Sequence, residues 1–278
     1  AKKDQPFFLA VGYANPHVPW IAPKRYWDLY RLAEIPLPDN RYLPRNAPEF
    51  AAKTGQDFKW YSNVPEDGVV GDDFGRECLH GYLAAISYVD ALVGRLLDAL
   101  DASPAAKNTV VILWSDHGYY MGEHSWWGSK HNNYEGATRA ALMIAVPGQR
   151  RPGSRTKAPT DFVDIYPSLA EICGLPKPVG AEGRSFAPLL EDPGATIKDC
   201  AFSFYPMGGY LGIAMRTDRW RFVEWTKVGQ EPVHELYDHQ SDPGENENLA
   251  GDPRHAALIR ELSAKLGERF PMAARGKK

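Results

Sequence analysis

Residues 109–130 read TVVILWSDHGYYMGEHSWWGSK. The first six are apolar or β-branched, a buried-strand pattern, and the run stops abruptly at Ser115. Asp116, His117 and Gly118 follow at once, then Glu123, His124, Trp126, Trp127 and Lys130. A second apolar run, ALMIAVPG at 141–148, reads as another strand, so a loop of about 25 residues joins the two. Loops longer than about 15 residues inside compact domains are usually functional or disordered. In an open α/β sheet, ligands bind outside the carboxyl ends of the strands, and Asp116 and His117 sit at such an end.

Working outward, PFFLAVGY at 6–13 reads as a short buried strand stopped by the prolines of ANPHVPW. PKRYWDLY reads as a helical turn, and residues 36–72 as Pro-, Asn- and Gly-rich surface loop. Leu79, Leu83, Ile86, Val89, Val93, Leu96 and Leu100 recur at three and four residues, the stripe of a long amphipathic helix closed near Pro104. DFVDIYPSLAEICGL reads as a helix ending at Gly174. Strands alternating with helices predict an α/β sheet with parallel members. After about residue 195, AFSFY, LGIAMRT, RWRFVEW and HELYD read as short strands, with TDR a tight turn between two of them. A helix over 254–268 closes the chain, followed by a frayed ARGKK. The expected organisation is 1–195 as part of an α/β domain and 196–278 as a small antiparallel sheet with a covering helix.

With 278 residues, 44% of them hydrophobic, the chain can bury a sizeable core. Its net charge of −3 lacks the basic field of a general nucleic-acid binder. No run of 18 apolar residues is present to span a membrane. Cys78, Cys173 and Cys200 show no metal spacing and neither demand nor exclude a disulfide.

A carboxylate beside an imidazole at a strand end is costly unless paired, hydrogen-bonded or bound to a cation. Asp116 is therefore either a structural cap on a backbone turn or half of a metal-binding pair with His117. Lys130 ends the same loop, and His17, in NPHVPW, follows the first predicted strand. If the two strands share a sheet, their ends bring His17, Asp116, His117 and Lys130 together. A metal ion, a lysine and a histidine around one point suit a tetrahedral oxyanion. Equally, Lys130 can be a solvated charge and His17 can bond a backbone carbonyl. Glu123 and His124 read as supporting or structural groups. Trp126 and Trp127 either face a sugar ring or pack under the loop.

These residues carry a resemblance. PFFLAVGYANPHVPWIAPKRYWDLY, HGYLAAISYVDALVGRLLDAL, VVILWSDHGYYMGEHSWWGSKHNNYEGATRAALMIAVPG and ELYDHQSDPGENENLA resemble successive blocks of the sulfatases, nearest their iduronate-2-sulfatase-like branch, within the alkaline phosphatase superfamily. The resemblance implies a mixed-sheet α/β fold with a small C-terminal subdomain that helps wall the substrate cleft. It implies that Asp116 and His117 help hold a divalent cation, normally calcium, although His117 leaves room for zinc or manganese. It further implies that Lys130 contacts the sulfate ester and that His17 binds sulfate or protonates the leaving alcohol. The expected substrate is a sulfated carbohydrate, with 2-O-sulfated uronates one candidate and Trp126 and Trp127 candidate contacts. Export to a periplasm or the outside is implied likewise.

The family's nucleophile is a formylglycine made within a Cys/Ser-x-Pro/Ala-x-Arg signature. Cys78 is followed by LHGY, Cys173 by GLPK and Cys200 by AFSF, and no serine begins the pattern. The adjacent Asp72 and Asp73 precede the long helix rather than follow a strand, and so read as caps of that helix, not as the family's first metal pair. The expectation is a C-terminal sulfatase portion whose N-terminal half supplies both missing parts, and which alone gives negligible turnover. The alternatives are a phosphodiesterase or phosphonate hydrolase of the same superfamily, and a non-catalytic sulfated-glycan-binding protein.

Overall fold

A computed structural model of the protein describes residues 5–52, 64–65 and 69–271. The start AKKD and the end ARGKK lie outside the described residues, as does much of the loop expected over 36–72. The chain divides into two compact units, Ala1–Leu37 with Asp57–Ala106, and Pro38–Gln56 with Lys107–Lys278.

In the first unit, α1 (Lys24–Trp27) is the expected helical turn and α2 (Asp72–Asp101) the expected long helix. Asp72 and Asp73, expected as its caps, lie instead in the first turn of α2, where their charge suits the helix dipole; Gly71 holds the N-cap position and no side chain caps it. The most deeply buried face of α2 is not the leucine stripe, whose Leu79, Leu83, Val89, Val93 and Leu100 are half-buried. Gly75, Cys78, Gly81, Ala84 and Ala85 are its buried residues, while Ile86 and Leu96 stay exposed. Small residues win because aromatic rings pack closely here. A Cβ on Gly81 would come within 3.1 Å of both Trp20 and Trp27. Burial pushes the Cys78 thiol up to about 12, and all three cysteines are free.

The run PFFLAVGY forms no strand. It joins no ladder among the described residues, and Phe7, Phe8, Leu9 and Val11 are exposed. An apolar run shows that a segment can be buried in a sheet, but a ladder also needs a partner backbone.

In the second unit, β1 (Val111–Trp114) pairs with β4 (Leu142–Ala145), antiparallel rather than parallel as the helix alternation predicts. The connection explains this. It contains a hairpin of β2 (Tyr120–Met121) with β3 (Trp127–Ser129) and one helical turn, α3 (Glu135–Thr138). With no crossover helix to carry the chain back along the sheet, it re-enters from the end it left. The helix ending at Gly174 is α4 (Ile165–Ile172). Gly174, at φ +66°, ends it in the left-handed conformation, and the Leu175 N–H closes back on the Ala170 carbonyl at 2.8 Å. A turn of helix, α5 (Pro188–Glu191), follows.

The C-terminal part matches its sequence pattern. Strands β5 (Cys200–Met207), β6 (Tyr210–Thr217), β7 (Trp220–Thr226) and β8 (Val233–Asp238) form an antiparallel sheet in sequential order. Alternation sorts the side chains onto two faces, and both are covered. Cys200, Ile213, Met215, Phe222 and Leu236 pack against Leu262 and Leu266 of α6 (Ala256–Arg269). On the opposite face, Ala214, Val223 and Trp225 pack with Ala51 and Phe50. Lys198 pairs with Asp161 at 2.6 Å and with the buried Asp164, tying the approach to α4 to the segment before β5. No helix among the described residues is long and apolar enough to cross a membrane.

Candidate active site at the end of β1

Ser115 ends β1 by donating its N–H to the Ala141 carbonyl and its hydroxyl to the His117 carbonyl. Gly118 then donates to the Ala137 carbonyl at 2.8 Å, clamping the turn onto α3. That approach requires glycine, because a Cβ at 118 would sit 2.1 Å from the Gly136 oxygen.

The Asp116 side chain is 84% exposed and accepts no backbone hydrogen bond among the described residues; the hydroxyl of Ser115 caps the turn instead. Nδ1 of His117 lies 2.7 Å from the Gly118 carbonyl. A carbonyl only accepts, so Nδ1 carries a proton, which leaves Nε2 as the ring nitrogen that could bind a metal. This Nε2 is 3.4 Å from Asp116 Oδ2. Two electron-pair donors at that spacing repel unless a proton or a cation lies beside them. One nitrogen and one oxygen donor, with the other ring nitrogen held by a carbonyl, have the chemistry of part of a divalent-metal set. Calcium takes 6–8 oxygen ligands, so the pair completes no site by itself.

Lys130 lies at the end of β3, half-buried, with its ammonium 5.8 Å from the Tyr119 ring centre. His17 belongs to the first unit. It is exposed on a proline-flanked turn, with Nδ1 2.8 Å from the Val18 carbonyl, the backbone bond foreseen as its structural role.

Trp126 and Trp127 are buried and pack under the loop. Trp126 donates to the Ala52 carbonyl at 3.1 Å and stacks edge-on with Tyr120 at 4.9 Å. Neither indole presents a face to a sugar. His124 is likewise structural, set between the carbonyls of Gly244 and Tyr42, and Glu123 accepts the Met121 N–H.

The sequence gives little sign of how the loop is anchored. Beyond Lys130 the chain lies along one face of the C-terminal sheet. Asn133 donates to the Gly212 carbonyl at 3.1 Å, accepts from the Ser203 hydroxyl at 2.9 Å, and its carbonyl accepts from Arg221 at 2.9 Å. Arg221, 2% exposed, bridges Glu245 and Glu135; Arg216 also reaches Glu135, and His239 reaches Glu245. Burial raises the Glu245 carboxyl, yet Arg221 and then His239 outweigh it and hold the group below its ordinary range. Ligand atoms of Glu135, His239 and Glu245 lie within 4.8 Å of one another, a spacing that could hold a metal. The Arg221 guanidinium already supplies the positive charge there, and a cation would have to displace it.

Next to this network Glu235, fully buried, accepts from Tyr134, from Tyr237 at 2.6 Å and from Trp225 Nε1 at 2.6 Å. Burial raises its carboxyl above the ordinary range, against the lowering effect of those donors. The strand parity of Arg221 and Glu235 was the one legible signal, since both fall on the same face as buried Val223 and Trp225.

The profile described as Sulfatase matches residues 1–175, and that of N-sulphoglucosamine sulphohydrolase, C-terminal, matches 122–270. A sulfatase of Formosa agariphila is 34% identical over 268 residues, covering 94% of this chain and 50% of the relative. Iduronate 2-sulfatase of Mus musculus is 30% identical, covering 92% and 60%. A phosphonate monoester hydrolase from Silicibacter pomeroyi superposes with TM-score 0.78 at 26% identity, covering 94% of this chain and 55% of that one. The chain thus spans about half the length of the curated relatives it matches. The profile match over 1–175, with the mixed α/β fold and its C-terminal four-stranded sheet, shows that this chain belongs to the sulfatase family, within the alkaline phosphatase superfamily.

Proposed function

We propose that the protein containing this chain is a sulfuric ester hydrolase acting on sulfated carbohydrates. The observation that supports this most is the family match across the segment that carries Asp116, His117 and Lys130. In this reading Asp116 and His117 supply two ligands to a divalent cation, with calcium the family expectation and His117 also suited to zinc or manganese. The bound ion would supply electrostatic stabilisation of charge on the ester oxygens. Lys130 holds the sulfate through its ammonium. His17, with its ring oriented by the Val18 carbonyl, binds sulfate or protonates the leaving alcohol. A formylglycine in the part of the fold that this chain does not span provides the nucleophile, so this chain alone releases negligible sulfate. Residues 196–278 then serve as the subdomain walling the cleft. Likeness to iduronate 2-sulfatase makes 2-O-sulfated uronates the first substrates to test.

A second reading is phosphonate or phosphodiester hydrolysis on the same site, favoured by the Silicibacter pomeroyi likeness and the nitrogen ligand of His117. The test is metal analysis of the purified protein together with sulfate and phosphate release from matched esters. Calcium with sulfate release supports the first reading; zinc or manganese with faster phosphonate hydrolysis supports the second.

A further inference from the structure

The residues just beyond Lys130 form a second surface. The Asn132 N–H closes on the Lys130 carbonyl at 3.0 Å, so Lys130, His131 and Asn132 make one tight turn. The buried Asn133 pins that turn to β5 and β6 through Ser203 and Gly212. Ser203 and Tyr205 lie two apart on β5 and therefore share a face. The face that receives Asn133 thus also presents Tyr205 to the His131 ring, their centres 6.0 Å apart and the planes tilted by 41°. Both residues are half-buried, which leaves part of each ring open to a ligand. Asn132, 4% exposed, has an Nδ2 with no hydrogen-bond partner among the described residues. A buried donor left open costs about 1–3 kcal/mol, and such groups mark places where a partner or a function is to be sought.

We propose that His131 and Tyr205 form the wall that reads the sugar ring of the sulfated substrate, beside the lysine that holds its sulfate. The inference rests on the reading of Lys130 as the sulfate contact. An aromatic face covers the apolar C–H face of a pyranose, and an imidazole N–H can meet a ring hydroxyl or carboxylate. The pair joins two sequence-distant elements, the β3–α3 turn and β5, so substitutions on the C-terminal sheet would tune which sugar is accepted while the sulfate contact stays fixed.

The test uses the full-length protein and the best substrate from a panel of 2-O-, 4-O- and 6-O-sulfated disaccharides, with inorganic sulfate as competitive inhibitor. His131→Ala and Tyr205→Ala are expected to raise KM for the disaccharide about five- to tenfold, the scale of a lost aromatic contact. The inhibition constant for inorganic sulfate should move less than about twofold, because sulfate alone is held by Lys130, His17 and the cation and does not reach this pair. Tyr205→Phe should keep KM near that of the unmodified protein. Phe204→Ala, which alters the opposite face of β5 against Phe270, should leave the ratio of the two constants unchanged. If both constants rise together, the pair positions Lys130 and reads no sugar; if neither moves, it does not contact the substrate. Either result overturns the inference alone. If the unmodified protein releases sulfate from no member of the panel, the sulfatase reading falls and this inference with it. His131→Phe keeps a ring and distinguishes lost contact from lost folding, since melting temperature is read alongside.

Discussion

Arg221→Met tests whether the candidate loop is held by a buried charge network. Arg221 is 2% exposed and donates to Glu245 and Glu135, to the Asn133 carbonyl at 2.9 Å and to Thr138 Oγ1 at 3.1 Å. Methionine fills similar volume but leaves Glu245, 1% exposed, without its main cation. Removing one partner of a buried ion pair costs about 3–5 kcal/mol. Glu245 keeps His239 at 2.8 Å and the Glu135 N–H at 2.7 Å, and Glu135 keeps Arg216, so the expected loss is near the lower end, about 3 kcal/mol. For a protein of this size that lowers the melting temperature by about 6–12 °C. Adding Glu245→Gln to Arg221→Met should restore part of the loss, because the stranded charge is gone. Denaturant titration of the protein, of the two single variants and of the pair measures both numbers. A loss below about 1 kcal/mol for the single variant, or strictly additive losses in the pair, would refute the network as the anchor.

Gly118→Ala should destabilise the protein by about 1–3 kcal/mol through overpacking, read by thermal melting, because its Cβ meets a backbone oxygen that cannot swing away. Lys130→Ala should lower kcat for sulfate release by about a hundredfold or more while leaving the melt unchanged, the scale of losing one oxyanion donor. Arg219 grips Asp238 through two hydrogen bonds, 2.8 and 2.6 Å, and holds that carboxyl at about 2. A carboxyl lowered on folding adds stability above its unfolded value of 3.8, and that stability is lost as pH falls from there towards 2. Asp238→Asn should therefore flatten the acid limb of the stability curve in that window, as circular dichroism against pH would show. Chelation of divalent metal should abolish sulfate release, and Asp116→Ala should lower the metal content of the purified protein.

Local patterning was enough for much of this chain. Period two in AFSFY, LGIAMRT, RWRFVEW and HELYD was enough to place four antiparallel strands, because consecutive strands joined by short turns need only local information. Gly174 ended its helix because the left-handed conformation there is written in one residue. The sequence alone also pointed to Asp116, His117 and Lys130 as chemically distinctive, since charged groups directly after an apolar strand are costly without a purpose. Tertiary structure decided the rest. The stripe on α2 is mostly half-buried, and the deepest burial falls to a face of glycine, cysteine and alanine because two tryptophans pack close against it. The run at 6–13 pairs with no strand among the described residues, and the tryptophans of the loop pack inward. The Arg221 network and the His131–Tyr205 pair join residues tens of positions apart, and no local period encodes which face of a distant sheet a loop will lie upon.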